Sequence, residues 1–180
     1  MTVHRRANVV VPDVLIPAEA IQARIDELAA MISHDYRDRA LVAVGILKGA
    51  FMFTADLVRR ISVPMELRFM TVESYGDDTR SSGEVRIVQD IDASIAGKHV
   101  MIIEDIVDTG RTLAFLRAHL NSCGPASLAV CALLDKVECH EGLAGADYTG
   151  FAVPNRFVVG YGLDKAGVFR NLDYIGVLSE

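Results

Sequence analysis

A chain of 180 residues, 51% of them hydrophobic and 23% charged, has the material for one domain with a substantial core. Its 24 acidic residues outnumber 18 basic ones, for a net charge of −6 and a pI of about 5.3. That balance argues against a nucleic-acid surface by bulk electrostatics, but not against small anionic substrates, whose sites depend on local fields. No apolar run approaches membrane-spanning length, and the N-terminal MTVHRRANVV has no long apolar core, so neither a membrane span nor a secretory signal is expected. Cys123, Cys131 and Cys139 form no C-x-x-C pattern, so reduced thiols and a cytoplasmic location are expected.

Pro17 to Ser33 has helical character, with Ile21, Ile25, Leu28 and Ile32 at three- and four-residue spacing behind an initial proline. Leu41–Leu47 (LVAVGIL) is short and wholly apolar, as a strand buried on both faces must be. Lys48-Gly49-Ala50 interrupts it, and helical spacing resumes from Phe51 to Ile61. Met65–Val72 reads as a strand, residues 73–83 (ESYGDDTRSSG) as a long exposed loop, and Val85–Val88 as a short strand closing that excursion. Strands are expected at Val100–Glu104 and Ser127–Leu134, with a helix at Leu113–Leu120 between them. This alternation predicts an α/β fold, a mainly parallel twisted sheet with helices on both faces. The tail from Asp147 to Glu180 is broken into short pieces rich in Gly, Asp and aromatic residues. It is expected to form, partly with the N-terminal segment, a small cap over the carboxyl edge of the sheet. The expected division is a core over about 35–140 and a hood from the N-terminal segment plus about 145–180.

The most informative stretch is Val100 to Thr112, V-M-I-I-E-D-I-V-D-T-G-R-T. An apolar strand ends in the adjacent acids Glu104 and Asp105, followed by Asp108 and then Thr109, Gly110, Arg111 and Thr112. Placed in the loop between a strand's carboxyl end and a helix start, these residues occupy the position where open α/β sheets bind ligands. Backbone N–H groups at the helix start suit a phosphate, and the carboxylates suit sugar hydroxyls, a metal or a proton. Helix capping accounts for one or two such residues but not for three acids after an apolar strand. A phosphorylated sugar is the ligand that needs both chemistries. Lys48 and Gly49, at another strand-to-helix turn, belong on the same sheet edge, where a glycine lets backbone approach a diphosphate and a lysine adds charge.

The acidic run resembles the phosphoribosyl-pyrophosphate (PRPP) motif of the purine phosphoribosyltransferases. Lys136 after VCALL, the segment GFAVPNRFVVGYGLD (Gly150–Asp164) and FRNL (Phe169–Leu172) resemble the hypoxanthine-guanine branch. The resemblance runs from Val9 to the C-terminus and implies a type I phosphoribosyltransferase fold with a Rossmann-like core and a hood. The implied reaction is purine salvage: hypoxanthine or guanine plus PRPP gives IMP or GMP plus pyrophosphate. Glu104 and Asp105 would hold the ribose hydroxyls directly or through Mg²⁺, and Asp108 to Thr112 the 5′-phosphate, with Asp108 also the general base. Lys48, Gly49 and Arg170 would face pyrophosphate, and the family's strained turn would place a cis bond at Leu47–Lys48. Lys136 would donate to the 6-oxo group, Phe157 would stack on the purine, and backbone groups of Val158 and Asp164 would read the base edge. Asp164 would also serve a second Mg²⁺. Ser74 and Tyr75 would belong to a lid that excludes water. Homodimers or homotetramers are implied, with no nucleic-acid or membrane partner. In one departure, Lys165 follows Asp164 where many relatives carry an aromatic residue. Two other classes fit parts of the pattern: an RNA-binding regulator of the same fold, and a receiver-like domain with Mg²⁺ on paired acids.

Overall fold

The computed structural model describes residues 11–75, 84–91, 94–140 and 142–178. Its frame is a six-stranded sheet of order β4-β3-β2-β5-β6-β7. The strands are β2 (Leu41–Leu47), β3 (Met65–Tyr75), β4 (Glu84–Gln89), β5 (His99–Val107), β6 (Ser127–Asp135) and β7 (Tyr148–Ala152). All neighbours are parallel except the edge strand β4, which returns antiparallel on β3. Three helices cover the sheet: α1 (Ala18–Asp35), α2 (Phe51–Val58) and α3 (Arg111–Ser122).

The alternation of side chains along β2 and β5 explains the two-layer core. Leu41, Ala43, Met101 and Ile103 point to one face, where α1 and α2 bury Ile21, Ile25, Leu28, Ile32, Phe53 and Leu57. Val42, Val44, Ile46, Val100 and Ile102 point to the other, under Leu113, Leu116 and Leu120 of α3. A strand buried on both faces has no polar side, hence the continuous apolar runs. A separate three-stranded antiparallel sheet, β1 (Asp13–Ile16), β9 (Ile175–Val177) and β8 (Val158–Val159), joins the two ends of the chain.

Four expectations are corrected. The strand carrying the acids does not stop at Glu104. It continues to Val107, because β6 runs beside it as far as Asp135 and keeps supplying partners, with Glu104 opposite Ala132 and Ile106 opposite Leu134. Glu104 and Asp105 therefore stand on strand rungs, and the loop proper is only Asp108–Gly110. The predicted loop over 73–83 begins later, since Glu73, Ser74 and Tyr75 pair with Arg86, Val85 and Glu84. Residues 76–83 lie outside the described residues. Helix α2 ends at Val58 rather than Ile61: the Arg60 N–H turns back to the Leu57 carbonyl at 3.0 Å, ahead of Pro64. Finally, Tyr148–Ala152, expected in the cap from about 145, pairs with β6 and extends the main sheet.

Candidate active site

Two turns meet at the carboxyl edge of the sheet. Gly49, in the turn after β2, lies directly beneath the carboxylate of Asp105 on β5. A Cβ added at Gly49 would stand 1.6 Å from Asp105 Oδ2. No side chain fits there, which is the physical reason for a glycine at this position. The peptide bond preceding Lys48 is cis.

A cavity of about 250 Å³ opens from this junction, lined by Gly49, Asp105, Ile106, Asp108, Lys136, Phe157, Val158, Leu163, Asp164 and Arg170. Beside it a second hollow of about 220 Å³ is walled by residues 104–110 with Thr112 and Leu113. It is the mouth of the T-G-R-T turn. Gly110 holds a φ of 83° there as it starts α3, a left-handed conformation that favours glycine. The first hollow has apolar Ile106 and Phe157 in its lining, and the second lies at the start of α3.

The electrostatics differ along the cleft. Glu104 is 8% exposed, and burial, then the neighbouring Asp105 charge, pushes its carboxyl well above the usual range. Burial likewise raises Asp105, to about 6, although the Ile106 N–H and, more weakly, Arg170 oppose the shift. Asp105 Oδ1 accepts from the Ile106 N–H at 2.8 Å, which fixes the carboxylate over Gly49. Further out, Lys136 emerges at the end of β6 with its side chain only 9% exposed, not as a surface lysine. Its Nζ lies 2.8 Å from Asp108 Oδ2, and the Asp108 side chain remains 52% exposed. Val107 anchors this arrangement by accepting the Lys136 N–H at 2.9 Å. Opposite, Arg170 pairs with Asp164 at 2.6 Å, whose second oxygen accepts the Gly167 N–H at 2.6 Å. Phe157 is 56% exposed, with the Lys165 Nζ 5.9 Å from its ring centroid.

Of the residues singled out in the sequence, Gly49, Asp105, Asp108, Lys136, Phe157, Val158, Asp164 and Arg170 share the first cavity. Glu104, Thr109, Gly110 and Thr112 line the second. Lys48 and Arg111 are exposed and line neither. Ser74 and Tyr75 contribute backbone to β3, and their side chains lie outside the described residues. Sequence reading missed Ile106 and Leu163, the apolar walls. Ile106 could have been found: it sits between Asp105 and Asp108, so any ligand touching both acids passes it.

Residues 15–166 match the model of the phosphoribosyl transferase domain. The hypoxanthine phosphoribosyltransferase of Haemophilus influenzae is 50% identical over 173 residues, covering 93% of this chain and 97% of that protein. The chain belongs to the hypoxanthine-guanine phosphoribosyltransferase family. The Bacillus subtilis hypoxanthine-guanine phosphoribosyltransferase is 47% identical, with 92% of both chains covered. A crystal structure of a Staphylococcus aureus hypoxanthine phosphoribosyltransferase superposes with a TM-score of 0.90 at 43% identity, covering 99% of this chain and 97% of that one. The type I phosphoribosyltransferase fold, with its mainly parallel sheet, is established by that likeness, and the receiver-like reading falls. No helix among the described residues is long and apolar enough to cross a membrane.

Proposed function

We propose that this phosphoribosyltransferase acts in purine salvage, moving the 5-phosphoribosyl group of PRPP to hypoxanthine or guanine. The reading rests on one observation: a single cavity is lined by Gly49, Asp105, Asp108, Lys136, Phe157 and Arg170, residues from five separate sequence motifs. In this reading the purine lies between Ile106 and Phe157, where a flat apolar face favours stacking. The Lys136 ammonium, which can only donate, meets the 6-oxo acceptor; the amino group of adenine would leave it unsatisfied. Thr109, Gly110 and Thr112 surround the 5′-phosphate at the N-terminus of α3. Arg170 and the Lys48–Gly49 turn face pyrophosphate, and Ser74 and Tyr75 belong to the closing lid.

The reaction forms a bond between a purine ring nitrogen and the anomeric carbon while the bond to pyrophosphate breaks. A proton on the imidazole ring must leave, and Asp108 takes it as general base. In the ligand-free site Lys136 holds that carboxylate at 2.8 Å. A 6-oxopurine draws the ammonium toward itself and leaves Asp108 a better proton acceptor.

Glu104 and Asp105 are hard oxygen donors whose raised proton affinity reports crowded, poorly solvated negative charge, so the pair fits a divalent cation. Among the described residues no three His, Cys, Asp or Glu side chains cluster to hold a metal by themselves. Mg²⁺ would therefore share protein and substrate oxygens, supplying charge neutralisation for the ribose and pyrophosphate. Asp164, already bound to Arg170 and the Gly167 N–H, fits only through water.

The small β1-β9-β8 sheet is assigned as the hood. A homodimer or homotetramer is supported by the exposed Phe51, Leu67 and Phe69. A cytoplasmic location is supported by three unpaired cysteines. The deciding experiment is spectrophotometric turnover of hypoxanthine with PRPP and Mg²⁺ in wild type and Asp108→Asn. A fall in kcat of roughly 10²–10⁴-fold is expected, the usual general-base contribution. Equal turnover removes Asp108 from that role.

A further inference from the structure

A polar joint connects the hood to the core without touching the cavity. At its centre, Tyr161 lies between Gly160 and Gly162, and all three residues have positive φ, 97°, 48° and 102° in chain order. A tyrosine in the left-handed region is uncommon and persists only where its surroundings enforce it. The side chain is 2% exposed within the core under α1 and α2. Its hydroxyl donates to Asp56 Oδ2 on α2 and accepts from Gln22 Nε2 on α1 at 3.3 Å. Gln22 Nε2 also donates to Asp56 at 3.2 Å, and its carbonyl accepts from Arg60 at 2.7 Å. Arg60 in turn pairs with Asp26 at 2.5 Å. Burial, and then the Asp56 contact, hold the phenol above its ordinary range, so the hydroxyl stays a donor at neutral pH.

The residues immediately after Tyr161 give this joint a functional meaning. Gly162 is pressed against the turn after β2 so closely that a Cβ would stand 2.1 Å from the Gly49 carbonyl oxygen. Its carbonyl accepts from Arg170 Nη1 at 2.6 Å, and its N–H donates to the Arg170 carbonyl at 3.0 Å. Leu163 and Asp164, both lining the cavity, come next. One hydroxyl thus ties the hood strap to two core helices, one residue before the strap meets Gly49 and grips Arg170.

We propose that Tyr161, through Asp56 and Gln22, is a positioning residue that sets Arg170 and Asp164 against Gly49 and Asp105, and so governs affinity for PRPP rather than for the purine. The inference rests on the reading that Gly49 and Arg170 form the pyrophosphate end. Lys136 is held by Asp108 at 2.8 Å and Ile106 by the pairing of β5 with β6, contacts that do not pass through Tyr161, which is why the purine should be affected less.

The test is steady-state kinetics on Tyr161→Phe, which keeps the ring and removes the hydroxyl, with thermal melting alongside. Loss of one buried hydrogen bond at this joint should raise the KM for PRPP roughly 3- to 10-fold, with the KM for hypoxanthine changed by less than about 2-fold. Asp56→Ala should reproduce the split, and the double variant should add little to either single one. A purely structural role would lower the melting temperature and the active fraction without moving the PRPP KM, and that result overturns the proposal. Should Tyr161→Phe fail to fold, Asp56→Ala reads the same contact from the other side, and an unchanged PRPP KM there is equally fatal. Arg170→Gln separates the two levels. If it leaves the PRPP KM unchanged, the pyrophosphate reading itself fails. If it raises the KM while Tyr161→Phe does not, only the positioning role fails.

Discussion

Replacing Gly49 with alanine tests whether the two turns function as one site. The new Cβ would begin 1.6 Å from Asp105 Oδ2, and ordinary contact starts near 3.4 Å, so the carboxylate must withdraw by the difference, 1.8 Å. Asp105 is short, and its other oxygen is held by the Ile106 N–H at 2.8 Å, so the movement costs that bond and swings the charge away from its place over Gly49. The fold should survive, because the displaced group is a carboxylate that already resists burial rather than a core side chain. Catalysis should not, since misplacement of a positioning group by about 1 Å can cost 10²-fold in rate. The assay is kcat/KM for PRPP at saturating hypoxanthine, with melting temperature measured alongside. A loss of about 10²-fold or more is expected with a near-wild-type melting transition. Turnover within a few-fold of wild type would refute the claim that Asp105 and the Lys48–Gly49 turn grip one substrate.

Lys136→Ala should weaken use of hypoxanthine by roughly 10- to 150-fold, the worth of a hydrogen bond to a charged group, and relax discrimination against adenine. An unchanged ranking of bases in a purine panel would count against the recognition argument. The acidic pair carries a pH signature. Folding raises the proton affinity of Glu104 and Asp105, so their contribution to stability is complete below the unfolded carboxyl range and is lost as pH rises through the folded value, about 6 for Asp105. Glu104→Gln should therefore raise the melting temperature at pH 8 by about 2–4 °C, while having little effect at pH 4; calorimetry showing no gain at pH 8 would disprove the strain. The same ionisation predicts that Mg²⁺-dependent PRPP binding, followed by titration calorimetry, weakens as pH falls through about 6. Lys165→Met removes the ammonium near Phe157 and should raise the KM for the purine about 2- to 5-fold at low salt, shrinking in high salt.

The chain's local chemistry was open to reading without coordinates. Wholly apolar runs at Leu41–Leu47 and in the first half of β5 announce strands covered on both faces, because only such strands have no polar side. Three acids followed by Thr-Gly-Arg-Thr announce a site, because neither burial nor capping calls for that set. Non-local partners decided the rest. β5 continues through Glu104 and Asp105 because β6 lies beside it as far as Asp135, a pairing between residues far apart in the chain. Tyr148–Ala152 joined the main sheet rather than the hood for the same reason. Lys136 stands out in the sequence only through the family resemblance; that its side chain is 9% exposed and meets Asp108 is decided by the fold. Tyr161 reads as one more aromatic until Gln22 and Asp56 arrive from two helices to meet its hydroxyl. Periodicity and residue type are properties of neighbours along the chain, so the sequence determined which segments and motifs exist. Contacts across the fold determined which oxygen lies over which glycine, and hence what the site can hold.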